Sequence, residues 1–246
     1  MKYYILASGS SGNCAVIQSD DEFIVLDCGC SATYLKNAFA SINLDYHQAK
    51  AVLITHFHCD HLKQTRMFCE STFYAPFKIE SVSQKFIEPY QPFQVGRFTI
   101  LAMLLSHDCN PTVGYIITDG QETLVQLTDS GYVSEINKEL IKGADYYIFE
   151  SNHDIEMLKH TSRPLILIER ILSNHGHMDN NYAANVLNDV ISDKTKEIIL
   201  AHISREANCY QLAYDVTNNV IRKNHPDFVN LYIKAIEQFE IYQGGH

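Results

Sequence analysis

Within six residues, His56-Phe57-His58-Cys59-Asp60-His61 places three imidazoles and a carboxylate directly after the apolar run 51–54. That run reads as a short buried strand. A strand ending in a tight loop can turn alternate side chains toward one point, so His56, His58, Asp60 and His61 are expected to converge without help from a helix. Such a run demands a fold that leaves one strand end open to an ion and its substrate. Imidazole nitrogen with carboxylate oxygen suits Zn²⁺, Mn²⁺ or Fe²⁺ better than the all-oxygen cages of Ca²⁺ or Mg²⁺.

Three further donors stand where strands are expected to end. His107 follows the run 98–105, Asp129 follows 123–127, and His202 follows 197–200. Each alone is more often a turn or capping residue. Their shared strand-end position makes them candidates as a set.

The remaining pattern is one of short apolar strands separated by polar or glycine-containing loops. Residues 2–6, 14–18 and 23–26 read as an opening meander, and 113–118 and 145–149 as later strands. The clearest helix is 180–192, where Tyr182, Val186, Leu187 and Val190 share a face and Asp179 is an N-cap candidate. Residues 134–142 and 210–222 are the next helices. No repeat or linker breaks the chain, and 246 residues with 46% hydrophobic content suffice for one domain spanning 1–246.

Charge narrows the function classes. Nineteen basic against 29 acidic residues give −10, which argues against a broad basic surface for nucleic acid. Ligand carboxylates inflate that count, and two divalent cations would offset about four units. The seven cysteines contain no Cys-x-x-Cys pair, so reduced, buried thiols are expected rather than disulfides or a zinc knuckle. Nothing near the start resembles a signal peptide, and no apolar run reaches the roughly 18 residues of a membrane span. A soluble, cytoplasmic protein with no membrane partner is expected.

The order His-x-His-x-Asp-His, His, Asp, His over residues 55–202 resembles the motif series of the metallo-β-lactamase superfamily. Ala7-Ser8-Gly9-Ser10-Ser11-Gly12-Asn13, Asp27-Cys28-Gly29, Ser106-His107-Asp108, Glu150-Ser151-Asn152-His153-Asp154, Gly176-His177 and Ala201 through Asn208 are similar to segments of the YycJ (WalJ) type of metallo-hydrolase. The chain departs from that pattern in Gly176-His177-Met178-Asp179-Asn180, where the family tends to have Leu-Ser before the asparagine, and in Cys59. The resemblance implies an α+β fold, the αββα four-layer sandwich of two mixed β-sheets flanked by helices. It implies two divalent ions, with His56, His58 and His107 on one, Asp60, His61 and His202 on the other, and Asp129 bridging.

By the same resemblance the chain is a metal-dependent hydrolase, a phosphodiesterase or DNA exonuclease that uses a metal-bridging hydroxide. Asp60 would also orient the nucleophile. Glu150 and His177 resemble a pair in transfer-RNA 3′-processing endonucleases, where a glutamate supports a histidine that aids the leaving group. Ser8, Ser10 and Asn13 offer an anion cradle in a glycine-rich loop, or a simple turn. Arg205 and Asn208 resemble substrate positions near the last ligand, although a salt bridge explains Arg205 equally well. Alternatives are a small-molecule phosphodiesterase, a thioester or lactone hydrolase, and a non-catalytic metal-bound sensor.

Overall fold

The computed structural model describes residues 1–245. In chain order the elements are β1 (Lys2–Ala7), β2 (Cys14–Ser19), β3 (Glu22–Leu26), α1 (Ala32–Ser41), β4 (Ala51–Leu53), α2 (Cys59–Leu62), β5 (Thr72–Ala75), β6 (Gln84–Phe86), β7 (Phe93–Val95), β8 (Phe98–Leu105) and β9 (Thr112–Thr118). There follow β10 (Thr123–Leu127), α3 (Glu135–Ile141), β11 (Tyr146–Glu150), α4 (Ile155–Lys159), α5 (Leu165–Leu172), α6 (Asn180–Val190), β12 (Glu197–Ala201), α7 (Tyr210–Asn224), β13 (Tyr232–Ala235) and β14 (Tyr242–Gly245). The chain divides into two compact units. Of the described residues, one holds 1–104, 109–122 and 238–245, the other 105–108 and 123–237.

The first unit contains a seven-stranded mixed sheet in the order β14-β1-β2-β3-β4-β5-β6. Strands β14 to β3 run antiparallel, and β3 through β6 run parallel. Side chains alternate across a strand, so one face of β1 to β5 delivers Leu6, Val16, Val25, Val52 and Phe73 to a core that α1 closes with Leu35, Ala38 and Phe39. Helix α1 begins at Ser31, whose hydroxyl accepts from the Tyr34 amide. The antiparallel pair β7 and β8 turns at Gly96, whose φ of 54° is costly for a side chain bearing Cβ.

In the second unit β10, β11, β12 and β13 are all parallel neighbours. Strands β11 and β12 are buried along their whole length, in keeping with their apolar runs 146–149 and 198–201. Parallel strands need crossovers, and α3, α6 and α7 supply helical ones. The Asp179 side chain accepts from Asn181 and Tyr182 amides, so the expected N-cap of α6 is present. Three parallel strands therefore end side by side, at Leu127, Glu150 and Ala201.

The expected strands and three expected helices appear within about two residues of their sequence-derived bounds. Helices α1, α4 and α5 and strands β5, β6, β7, β13 and β14 were not expected, being short or lacking a clean period. The loop after β4 differs from its expectation in kind. Residues Cys59–Leu62 form a helical turn, with His61 N donating to His58 O at 3.0 Å, so Asp60 and His61 are aimed by a helix after all. The thiols also divide: Cys14, Cys28, Cys30 and Cys109 are buried, whereas Cys59, Cys69 and Cys209 are exposed, and all seven are free. Burial pushes the Cys30 thiol up to about 12, which keeps it protonated and inert.

Candidate functional site

In the first unit the donors hang from the ends of adjacent parallel strands. Asp27 follows β3, with φ of 58°, and Thr55 and His56 follow β4. Asp27 Oδ1 accepts from the Thr55 amide at 2.9 Å, and Oδ2 lies 2.8 Å from His61 Nδ1. Burial pushes the Asp27 carboxyl above its usual range, while the His61 charge, its hydrogen bond and those of Thr55 pull the other way.

Thr55 Oγ1 lies 3.0 Å from His56 Nδ1 and 3.1 Å from His61 Nδ1. With their Nδ1 atoms held, His56 and His61 turn Nε2 toward the other residues of the loop. His56 Nε2 sits 3.0 Å from His58 Nδ1, and His61 Nε2 sits 3.5 Å from Asp60 Oδ2. Such a spacing of facing nitrogens is chemically a donor set.

Asn13 locks this loop from below. Its backbone amide donates to Asp60 O at 2.8 Å, and its side-chain nitrogen lies 2.9 Å from His61 Nε2. Around the anion cradle expected at Ser8, Ser10 and Asn13, most neighbouring amides are engaged inside the protein, which leaves the serine hydroxyls and the Ser10 amide as its candidates. Ser8 N donates to Gln238 O, Gly9 N to Asn13 Oδ1, Ser11 N to Gln238 Oε1 and Gly12 N to Gly9 O. Ser8 is buried and Ser10 exposed.

The second unit gathers the other candidates at the carboxyl ends of β10, β11 and β12. Asp129, Glu150, His177 and His202 each offer a donor atom, all within 4.8 Å of one another. Glu150, fully buried, organises them. Its Oε1 lies 2.8 Å from His177 Nδ1 and 2.9 Å from His202 Nδ1, and it also accepts from the Asp129, Ser130 and Met178 amides. Burial alone would raise the Glu150 carboxyl, but the His177 charge and the two histidine hydrogen bonds outweigh it and hold the group well below the usual range.

His202 Nε2 then faces Asp129 Oδ1 at 3.4 Å. Asp129 and His202 both have positive φ, 62° and 53°, a backbone strain that non-glycine residues keep where a site over-determines them. His107 stands beside His177, ring centroids 5.1 Å apart, with its Nδ1 3.2 Å from Gly176 O. Burial lowers the His107 pKa and keeps the imidazole neutral, the form that can bind a metal.

These pairings test whether a metal fits. Histidine ligands characteristically give their second nitrogen to a carboxylate or backbone carbonyl. His61 does so with Asp27, His202 with Glu150 and His107 with Gly176, so the donor chemistry suits a divalent transition ion. Sequence reasoning missed Asp27 and Thr55 as orienting groups. The signal was Asp27-Cys28-Gly29 at the end of β3, a family-like segment to which no role was given.

Two expected substrate residues are placed differently. Asn208 is buried and spends its amide on Asn180 Oδ1 and on the backbone oxygens of Ser151 and Asn152, so it braces the loop after β11. Arg205 is exposed and makes no ion pair among the described residues.

Comparisons with known proteins agree with this architecture. Residues 23–203 match the family model described as the β-lactamase superfamily domain. The chain is 33% identical over 237 residues to exodeoxyribonuclease YycJ of Bacillus anthracis, covering 91% of this chain and 90% of the relative. It is 32% identical to exodeoxyribonuclease WalJ of Streptococcus pneumoniae, covering 87% and 85%. Among solved structures, the metallo-β-lactamase fold protein YhfI of Bacillus subtilis superposes with a TM-score of 0.71 at 19% identity, covering 98% of each chain. The short form of human tRNase Z gives 0.66 at 17% identity, again covering 98% of each. The two mixed sheets flanked by helices are thus those of the metallo-β-lactamase fold. No helix of the described residues is long and apolar enough to cross a membrane.

Proposed function

Because the chain belongs to the metallo-β-lactamase superfamily, we propose that it is a binuclear metal-dependent phosphodiesterase that degrades DNA as an exonuclease. The observation that carries this reading is the Glu150 carboxylate, whose single oxygen engages both His177 and His202. One of those histidines is a proposed ligand and the other a proposed acid. A carbonyl substrate with a good leaving group has no need of the second.

His56, His58, Asp60 and His61 of the first unit and His107, Asp129 and His202 of the second are the proposed ligands. Zn²⁺ or Mn²⁺ fits them, as does Fe²⁺. Bound divalent ions supply Lewis acidity and bring the pKa of water toward about 7. Asp60 orients the attacking water through its carboxylate. His177, with Nδ1 fixed on Glu150, turns Nε2 toward the leaving group and donates a proton to the departing alkoxide. Arg205, exposed just beyond His202, suits a bidentate grip on a phosphate.

The relatives named exodeoxyribonucleases support DNA as substrate. The net charge of −10 favours a second reading, hydrolysis of a small phosphodiester. Metal analysis followed by assays on end-labelled DNA and bis-p-nitrophenyl phosphate tests both. DNA shortening that depends on metal and is lost in Asp60→Ala supports the exonuclease. Diester turnover without DNA shortening, and DNA binding indifferent to salt, overturns it in favour of the small substrate.

A further inference from the structure

Phe57 lies between two proposed ligands yet is 52% exposed. Burying a phenylalanine stabilises a fold, and here much of that gain is given up. The ring is nonetheless held. It meets Phe77 at 6.0 Å between centroids and His58 at 5.9 Å, both at 79°. Phe77 is itself packed against the core of the first sheet.

A lone exposed phenylalanine is ordinary on a protein surface. Two further observations set this one apart. The parallel strands β4, β5 and β6 end on one side, and each carries an aromatic at or just beyond its carboxyl end: Phe57, Phe77 and Phe86, the last 67% exposed. Carboxyl ends of parallel strands are where α/β proteins bind ligands. Cations also lie along this stretch of chain: residues 61–86 hold Lys63, Arg66, Lys78 and Lys85 against Glu70 and Glu80, and of these Lys78 is paired with Glu80 at 2.8 Å.

We propose that Phe57 is a stacking platform for a nucleobase of single-stranded DNA, adjoining the phosphodiester to be cut, and that the cations of residues 61–86 draw the strand to it. The proposal rests on the phosphodiesterase reading above and narrows it to a polynucleotide. Base stacking on an aromatic ring tolerates every sequence, as a processive nuclease requires, and contributes about 1–3 kcal/mol per base, roughly 5- to 150-fold in affinity.

The test uses the full-length protein and phosphorothioate oligomers that resist cleavage, one of oligothymidylate and one abasic at the same length, with binding followed by fluorescence anisotropy. The wild type is expected to prefer the base-bearing oligomer by about 5- to 150-fold. Phe57→Ala is expected to erase that preference while leaving affinity for the abasic oligomer unchanged, and Phe57→Trp to retain it. Phe57→Leu, which keeps apolar volume without a ring, guards against a folding artefact. The proposal is overturned if the wild type shows no preference, or if Phe57→Ala or Phe57→Leu keeps it. Cleavage of ordinary DNA by the wild type is read separately. Its absence counts against the exonuclease reading, whereas a lost stacking effect with cleavage intact counts against Phe57 alone.

Discussion

Asp27 Oδ2 lies 2.8 Å from His61 Nδ1, and both side chains are buried. The aspartate fixes which imidazole nitrogen is left to bind a metal. It also ties the end of β3 to the loop after β4 through the Thr55 amide.

Asp27→Asn keeps the volume and removes the charge. Loss of such a supporting carboxylate lowers metal affinity by about 10- to 100-fold. Competition against a chelator of known affinity measures it, and an unchanged affinity would show that Thr55 alone orients His61.

Gly29→Ala probes the same loop by steric means. A Cβ at this position would fall 1.5 Å from Asp60 O, so the helical turn carrying Asp60 and His61 must move. Forced overpacking costs about 1–3 kcal/mol or more. Thermal unfolding is expected to show a lower Tm together with weaker metal retention.

His177→Ala separates proton donation from metal binding. Diesters with poor leaving groups, DNA among them, are expected to slow by about 10²- to 10⁴-fold, because general acid catalysis matters most when the departing oxygen is basic. p-Nitrophenyl esters, whose leaving group needs no proton, should slow far less. Equal losses on both substrates would assign His177 to the metal instead.

Acid should destabilise chelator-treated protein in two stages. Burial lowers the pKa of His107 and His153 below the ordinary 6.5, so the unfolded chain binds more protons as pH falls through that value and stability drops. Glu150 is held below its ordinary 4.5, so its contribution is complete above 4.5 and is lost as pH falls further toward its lowered value. Denaturant midpoints across pH measure both stages. In Glu150→Gln the lower one is expected to shrink to what other lowered carboxyls such as Asp119 contribute, while the upper one stays.

The sequence by itself pointed to the candidate donors on the β4 loop, since three histidines and an aspartate in six residues after a strand suit a metal ion. It also located β10, β11 and β12, whose apolar runs mark them as strands, although their parallel pairing came from the structure. What only the tertiary structure decided is the set of partners that give those donors a direction. Asp27 precedes His61 by 34 residues and Glu150 precedes His202 by 52, and hydrogen bonds over such separations exist only once neighbouring strand ends are side by side. The same packing reassigned Asn13 and Asn208. Both looked like groups for a substrate, and both became internal braces, because a buried amide must satisfy its donors where it lies.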